Sequence, residues 1–293
     1  MNDSTDSASP PAPAQPDPAK PGMSNLAQRL LTAGVLIPTL CVALFVETTA
    51  WSILALSVVA LVAAGDEYLR MGLGEDRAPG LRATFGVVGG LLVVLNTLAG
   101  TRVAMAPVLA AGVVAIAFAV LVRKRALADA GRHLAFALAG LVYVPMLGCV
   151  WPLLKHELGP EWLFLALALA FGSDSGGYFA GRAFGKHKLY EAVSPKKTVE
   201  GSIGALVAGV AAMVGFGHFW LTPDIPIVHA IVLGLVGSAL GQIGDLVESM
   251  IKRTFGIKDS SNLLPGHGGM LDRVDALLFV APLIYYYSKL FLV

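Results

Sequence analysis

Apolar residues in this chain fall into long runs, separated by short stretches rich in Lys, Arg, Gly and Pro. Runs at 30–46, 51–64, 83–98, 103–122, 134–154, 162–184, 203–221, 225–249 and 276–291 reach or approach the length a helix needs to cross the hydrocarbon layer. The pattern predicts an all-α, polytopic membrane protein with about nine transmembrane helices. Only residues 47–50 part the first two runs, so a tight hairpin is expected there. Gly and Pro within the runs do not oppose this reading, because both are common in membrane helices. Gly140 and Gly148, and Gly204 and Gly209, are expected to let helices pack closely. Residues 1–25 break the pattern. They are rich in Pro, Ala, Ser and Asp, cannot bury a core, and read as a disordered tail without the features of a signal peptide. The chain therefore divides into a tail at 1–25, N-terminal helices at 26–160 and a C-terminal region at 161–293, where the polar chemistry concentrates.

Composition agrees: 56% of residues are hydrophobic, 14% are charged, and mean hydropathy is +0.71, which excludes an ordinary soluble domain. A net charge of +1 says little, but its distribution says more. Of the cations, 18 fall in the tail and in alternate loops, while only Arg102, Lys155 and Lys289 fall on the opposite side. The bias toward cytoplasmic loops then places the N-terminus and the two most charged loops in the cytoplasm. Cys41 and Cys149 both lie in apolar runs and read as buried thiols, with no zinc-type spacing around them.

One segment, 249–275, concentrates charge and glycine between two membrane-grade runs. Lys252, Arg253, Lys258 and Arg273 suit phosphate oxygens. Gly266, Gly268 and Gly269 permit tight turns and close approach of a ligand to the backbone. Asp272 and Asp275 share a helix face at this spacing, and paired carboxylates beside a phosphate site suggest Mg²⁺. Upstream, Asp245, Glu248, Ser249 and Lys252 form a polar stripe on one helix face. That stripe is a metal and phosphate site or a self-neutralised ion-pair ladder; Asp245, deepest and with no cation four residues on, is the better metal candidate. Asp174 lies inside an apolar run, as a functional carboxylate or as the structural partner of a cation on another helix. Lys196 and Lys197, in Ser194-Pro195-Lys196-Lys197-Thr198, either hold phosphates or only fix topology, with Pro195 starting a turn or a helix. His267 is a hydrogen-bond donor, a proton carrier or a turn stabiliser. The run Gly181 to Lys186 is one residue short of a P-loop, and His187 stands where Ser or Thr is needed.

Taken in order, Ser249-x-x-Lys252-Arg253, Lys258-Asp259, Leu264-Pro265-Gly266-His267-Gly268-Gly269 and Asp272-Arg273-x-Asp275 resemble the signature of the phosphatidate cytidylyltransferases, the integral-membrane CDP-diacylglycerol synthases. The block from Asp174 to Gly201 resembles the same family. The resemblance implies transfer of a cytidylyl group from CTP to phosphatidic acid, giving CDP-diacylglycerol and pyrophosphate at the inner membrane. It implies Asp245 and Asp272 as ligands of Mg²⁺, with Asp275 and Asp174 as further metal candidates. Lys252, Arg253 and Ser249 join Asp245 and Asp272 as catalytic candidates. Ser194, Lys196, Lys197, Thr198, Lys258, His267, Gly268, Gly269 and Arg273 are then candidates for binding substrate. Whether a monovalent cation joins Mg²⁺, and whether the chain is a homodimer, stay open; the bilayer is a partner and nucleic acid is not.

Two other classes compete. A transporter of anionic solutes would place its site near the midplane with broken helices in both halves, whereas these charges gather at one interface. A CDP-alcohol phosphotransferase is also a small polytopic metal enzyme, but its signature ends in Asp-x-x-x-Asp, and Asp272-Arg273-Val274-Asp275 has the wrong spacing.

Overall fold

The computed structural model describes residues 25–46, 51–74, 78–99, 105–123, 127–221 and 225–292. The expected tail lies outside the described residues up to position 24, as does the tight hairpin at 47–50.

The chain is helical almost throughout. Helices α1 (Asn25–Phe45), α2 (Ser52–Leu73), α3 (Pro79–Ala99), α4 (Met105–Val122) and α5 (Leu127–Leu141) come first. Helix α5 runs on through a π turn (Val142–Met146), the short α6 (Trp151–Leu153) and a second π turn (Leu154–Leu158), making a single crossing. Then follow α7 (Pro160–Phe184), α8 (Val199–Ala212, continued as π helix over Met213–Leu221), α9 (Ile227–Thr254) and α10 (Leu271–Phe291). Among the described residues, eight crossings are long and apolar enough to span a bilayer, and α1 adds a shorter apolar stretch, Gly34–Phe45. The protein is thus an all-α, multi-pass membrane protein.

Three boundaries depart from the sequence pattern for local reasons. Helix α2 passes its expected end at 64, because no breaker intervenes before Gly74, whose φ of 79° stops it. Asp66, Glu67 and Arg70 are therefore helical rather than loop residues. Helix α10 starts at Leu271, so Asp272 and Asp275 do share a helix. Pro195 starts neither a turn nor a helix: it lies in β2 (Ser194–Thr198), which pairs antiparallel with β1 (Lys188–Tyr190), Lys188 opposite Thr198 and Tyr190 opposite Ser194. This hairpin, unforeseen in the sequence, is anchored by Glu200, whose carboxylate accepts the backbone N–H of Lys186 (3.0 Å) and His187 (3.2 Å).

Side-chain contacts sort the loops into two ends. At one end, Thr32 donates to the Pro265 carbonyl, Arg82 pairs with Asp66, Phe136 packs on Phe255, and Arg253 reaches the Val193 carbonyl. At the other, Lys155 donates to the Ala43 carbonyl, Lys289 pairs with Glu157, and His229 meets Tyr287. The cation-rich loops thus share one end of the bundle, as an alternating up-and-down path requires.

Helices α7 and α8 touch backbone to backbone. A Cβ on Gly177 would stand 3.3 Å from the Gly201 carbonyl, and Gly204 faces Ala180. Gly140 is filled over by Tyr68, Gly148 by Leu61 and Gly209 by Ser238, so the glycines expected to allow close packing do so.

Candidate functional site

The charged end of α7, α9 and α10 encloses a cavity of about 260 Å³. Glycine lets these helices meet: a Cβ on Gly244 would come within 2.6 Å of the Asp275 carbonyl, so α9 runs close against α10 beside Asp245. Among the described residues, the cavity is lined by Asp174, Asp245, Glu248, Asp259, Asp272 and Asp275, against only Lys197, Lys252 and Arg273 as cations. Residues that are far apart in sequence, from Asp174 to Asp275, thus converge on one concave space.

The polar stripe of α9 behaves as its spacing predicts. Lys252, 8% exposed, places its ammonium 2.6 Å from Glu248 and 2.7 Å from Asp272. Ser249 donates to Asp245 Oδ1 at 3.2 Å. The other Asp245 oxygen lies 2.5 Å from Lys197 Nζ, so the hairpin lysine enters the cavity rather than merely marking a loop. Asp272 also accepts the backbone N–H of Ser260 (3.1 Å) and Gly269 (2.9 Å), which closes the loop between α9 and α10 over it. Asp275 accepts the N–H of Ala276 at 2.7 Å.

A second cavity of about 510 Å³ opens beside the first and shares Ser173, Asp174, Lys197 and Gln242 with it. Arg182, Lys196 and Thr198 line it, and the exposed rings of Tyr178 and Phe179 form its apolar rim. Gln242 escaped the sequence analysis, being one polar residue on an apolar helix; it is fixed by mutual hydrogen bonds with Ser202.

Other candidates are placed elsewhere. Arg253 does not line the cavity; its guanidinium ties the Val193 carbonyl (3.3 Å) to that of Ile257 (2.9 Å) and so braces the two charged loops. Lys258 lines a third cavity, between α2 and the loop. Thr198, besides lining the second cavity, caps α8, accepting the Gly201 N–H at 3.1 Å. Ser194 is a β2 residue opposite Tyr190. His267 donates its backbone N–H to the Leu264 carbonyl at 2.8 Å within a tight turn, and its Nδ1 is buried without a partner among the described residues. Gly268 takes a φ of 79°, which favours glycine, and Gly269 packs against Ser260 and Glu67.

The donor set suits a hard divalent ion in charge and atom type: the carboxyls outnumber the cations, and Glu248 Oε1 is buried with no donor in reach among the described residues. No three carboxylates or histidines converge as a preformed ligand shell among the described residues, because Lys197 and Lys252 stand between the acids.

Comparison with known proteins gives a consistent picture. A family model described as the cytidylyltransferase family matches residues 27–291. A phosphatidate cytidylyltransferase of Staphylococcus saprophyticus is 35% identical over 213 residues, 70% of this chain and 77% of that one. One from Bacillus subtilis is 44% identical over 135 residues, 46% of this chain and 50% of that one. A third, from Staphylococcus aureus, is 41% identical over 152 residues, 51% of this chain and 57% of that one. The matched stretch thus spans about half the length of the Bacillus and Staphylococcus aureus proteins.

Proposed function

This chain belongs to the cytidylyltransferase family, and from that premise we propose that it transfers a cytidylyl group from CTP to phosphatidic acid, releasing pyrophosphate and forming CDP-diacylglycerol. The observation that carries the reading is the junction of the two cavities at Lys197 and Asp174. A water-soluble triphosphate and a lipid phosphate must meet at one point. The acidic cavity beneath the loop suits the metal-bound nucleotide. The second cavity, with its cations and apolar rim, suits a phosphate carrying acyl chains.

In this reading the lipid phosphate oxygen attacks the α-phosphorus of CTP and pyrophosphate leaves from the opposite side. A phosphate monoester is already largely ionised near neutral pH, so no strong general base is needed. Lys197, at the junction, holds the entering phosphate against the nucleotide. Lys252 and Arg273 offset the charge that grows on the α-phosphoryl oxygens and on the leaving group. Asp245 and Asp272, with Asp174 and Asp275 beside them, would hold Mg²⁺, which when bound neutralises phosphate charge and polarises the phosphorus. The membrane is the inner one, and the charged end of the bundle faces the cytoplasm, where CTP is.

The test is product identification. Purified protein in phosphatidate vesicles with CTP and Mg²⁺ should yield CDP-diacylglycerol by mass spectrometry, and omission of phosphatidate should abolish it. Formation of CMP and pyrophosphate, or of CDP and phosphate, without CDP-diacylglycerol would make the protein a hydrolase and refute the reading.

A further inference from the structure

Glu67 lies in α2, about two hundred residues from the signature loop in sequence, and is 4% exposed. Its carboxylate is filled by four donors, all from that loop. Oε1 accepts Ser261 Oγ at 2.6 Å and the Met270 N–H at 2.9 Å. Oε2 accepts Ser260 Oγ at 3.0 Å and the Leu271 N–H at 2.8 Å. Met270 and Leu271 begin α10, whose first N–H groups have no partner within the helix. Glu67 therefore caps α10 from another helix.

The same loop ends serve Asp272. Ser260 gives its hydroxyl to Glu67 and its N–H to Asp272, and Gly269, between the two carboxylates, gives its N–H to Asp272. A Cβ at Gly269 would come within 2.6 Å of Glu67 Oε2, so this glycine makes room for the carboxylate. Two acids thus grip one loop from opposite sides, one of them in the cavity and the other outside it.

We infer that Glu67 is a positioning residue for the reaction: it fixes the start of α10, and through it the place of Asp272 and of the Lys252 ammonium bonded to it. This rests on the cytidylyltransferase reading of the cavity. Glutamine cannot replace it. An amide oxygen accepts on one side only, and the amide NH₂ would face the backbone N–H of Met270 or Leu271, donor against donor.

The test compares wild type, Glu67→Gln, the Ser260→Ala, Ser261→Ala double variant and the combined triple variant, each purified from the membrane and checked for monodispersity and thermal stability. Wild-type turnover of CTP and phosphatidate must be seen first; its absence would defeat the functional reading and not this one. Glu67→Gln should lose about tenfold to hundredfold in kcat, with KM for phosphatidate within about twofold. The triple variant should lose little more than Glu67→Gln alone, because both changes break one connection. Wild-type kcat in a folded Glu67→Gln protein would overturn the inference. So would losses that multiply in the triple variant, since Glu67 would then act apart from the loop. A Glu67→Gln protein too unstable to assay shifts the decision to the serine variant, where an unchanged kcat overturns the inference and a loss in kcat supports it.

Discussion

Charge placement in the cavity is the feature that most constrains single residues. Asp245 and Asp272 each hold a lysine, Lys197 at 2.5 Å and Lys252 at 2.7 Å. Converting either acid to an amide removes a hard oxygen donor and frees a buried or half-buried cation. Asp245→Asn and Asp272→Asn are each expected to lower kcat by at least about a hundredfold while the protein stays folded, read by turnover at limiting Mg²⁺ alongside gel filtration. Near-normal turnover at limiting Mg²⁺ would remove that residue from the site. For the hairpin, the Lys196→Gln, Lys197→Gln double variant should lose roughly tenfold to hundredfold in kcat/KM, each lost charge-assisted contact being worth on the order of 1.5–3 kcal/mol. Lys197 lines both cavities and Lys196 only the second, so the KM rise should fall mainly on phosphatidate. Unchanged constants for both substrates would return the pair to a topological role. Residues on a helical stripe, such as Asp245, Ser249 and Lys252, were legible because their spacing already puts them on one face. Glu67 and Gln242 were not, because their partners lie on other helices and nothing local marks them.

Helix ends rather than helix middles decide the geometry around the cavity. The apolar runs located the helices, since membrane helices must satisfy their own backbone bonds. They could not locate the polar end of α2, where the helix continues past the apolar stretch to Leu73; those of α9 and α10 showed instead in the helical spacing of their polar residues. Thr198 shows the consequence. The sequence makes it a substrate-binding candidate; it lines the second cavity, and its side chain also caps α8 directly after Lys197. Thr198→Ala should cost about 1 kcal/mol of stability in a denaturation measurement, and Thr198→Ser should restore it. Loss of turnover in both variants at wild-type stability would give Thr198 a direct role in the chemistry instead. The small hairpin at 188–198 was hidden for a related reason: strands this short and polar carry no hydrophobic alternation, and Glu200 rather than apolar burial fixes their base.

Across the whole molecule, the cation-rich loops meet at one end of the bundle and Lys155, Glu157 and Lys289 meet at the other. If the first end is cytoplasmic, cysteines placed by Lys188→Cys and Asn262→Cys in a Cys41→Ser, Cys149→Ser background should resist an impermeant thiol reagent in intact cells. They should label once the inner face is exposed. Labelling of the Asn262→Cys protein in intact cells would invert the orientation and deny CTP its access.

In the proposed reaction the α-phosphorus of CTP is joined to a lipid phosphate at the junction of the two cavities, at Lys197 and Asp174. CTP labelled at its α-phosphorus or at its γ-phosphorus separates this from every rival, with purified protein in phosphatidate vesicles and Mg²⁺. The α-label should enter the lipid phase and the γ-label should stay in water as pyrophosphate, and Asp245→Asn should abolish both the entry of α-label and the release of pyrophosphate. Label entering lipid from the γ-position, or α-label remaining wholly in water while CTP is consumed, would contradict it.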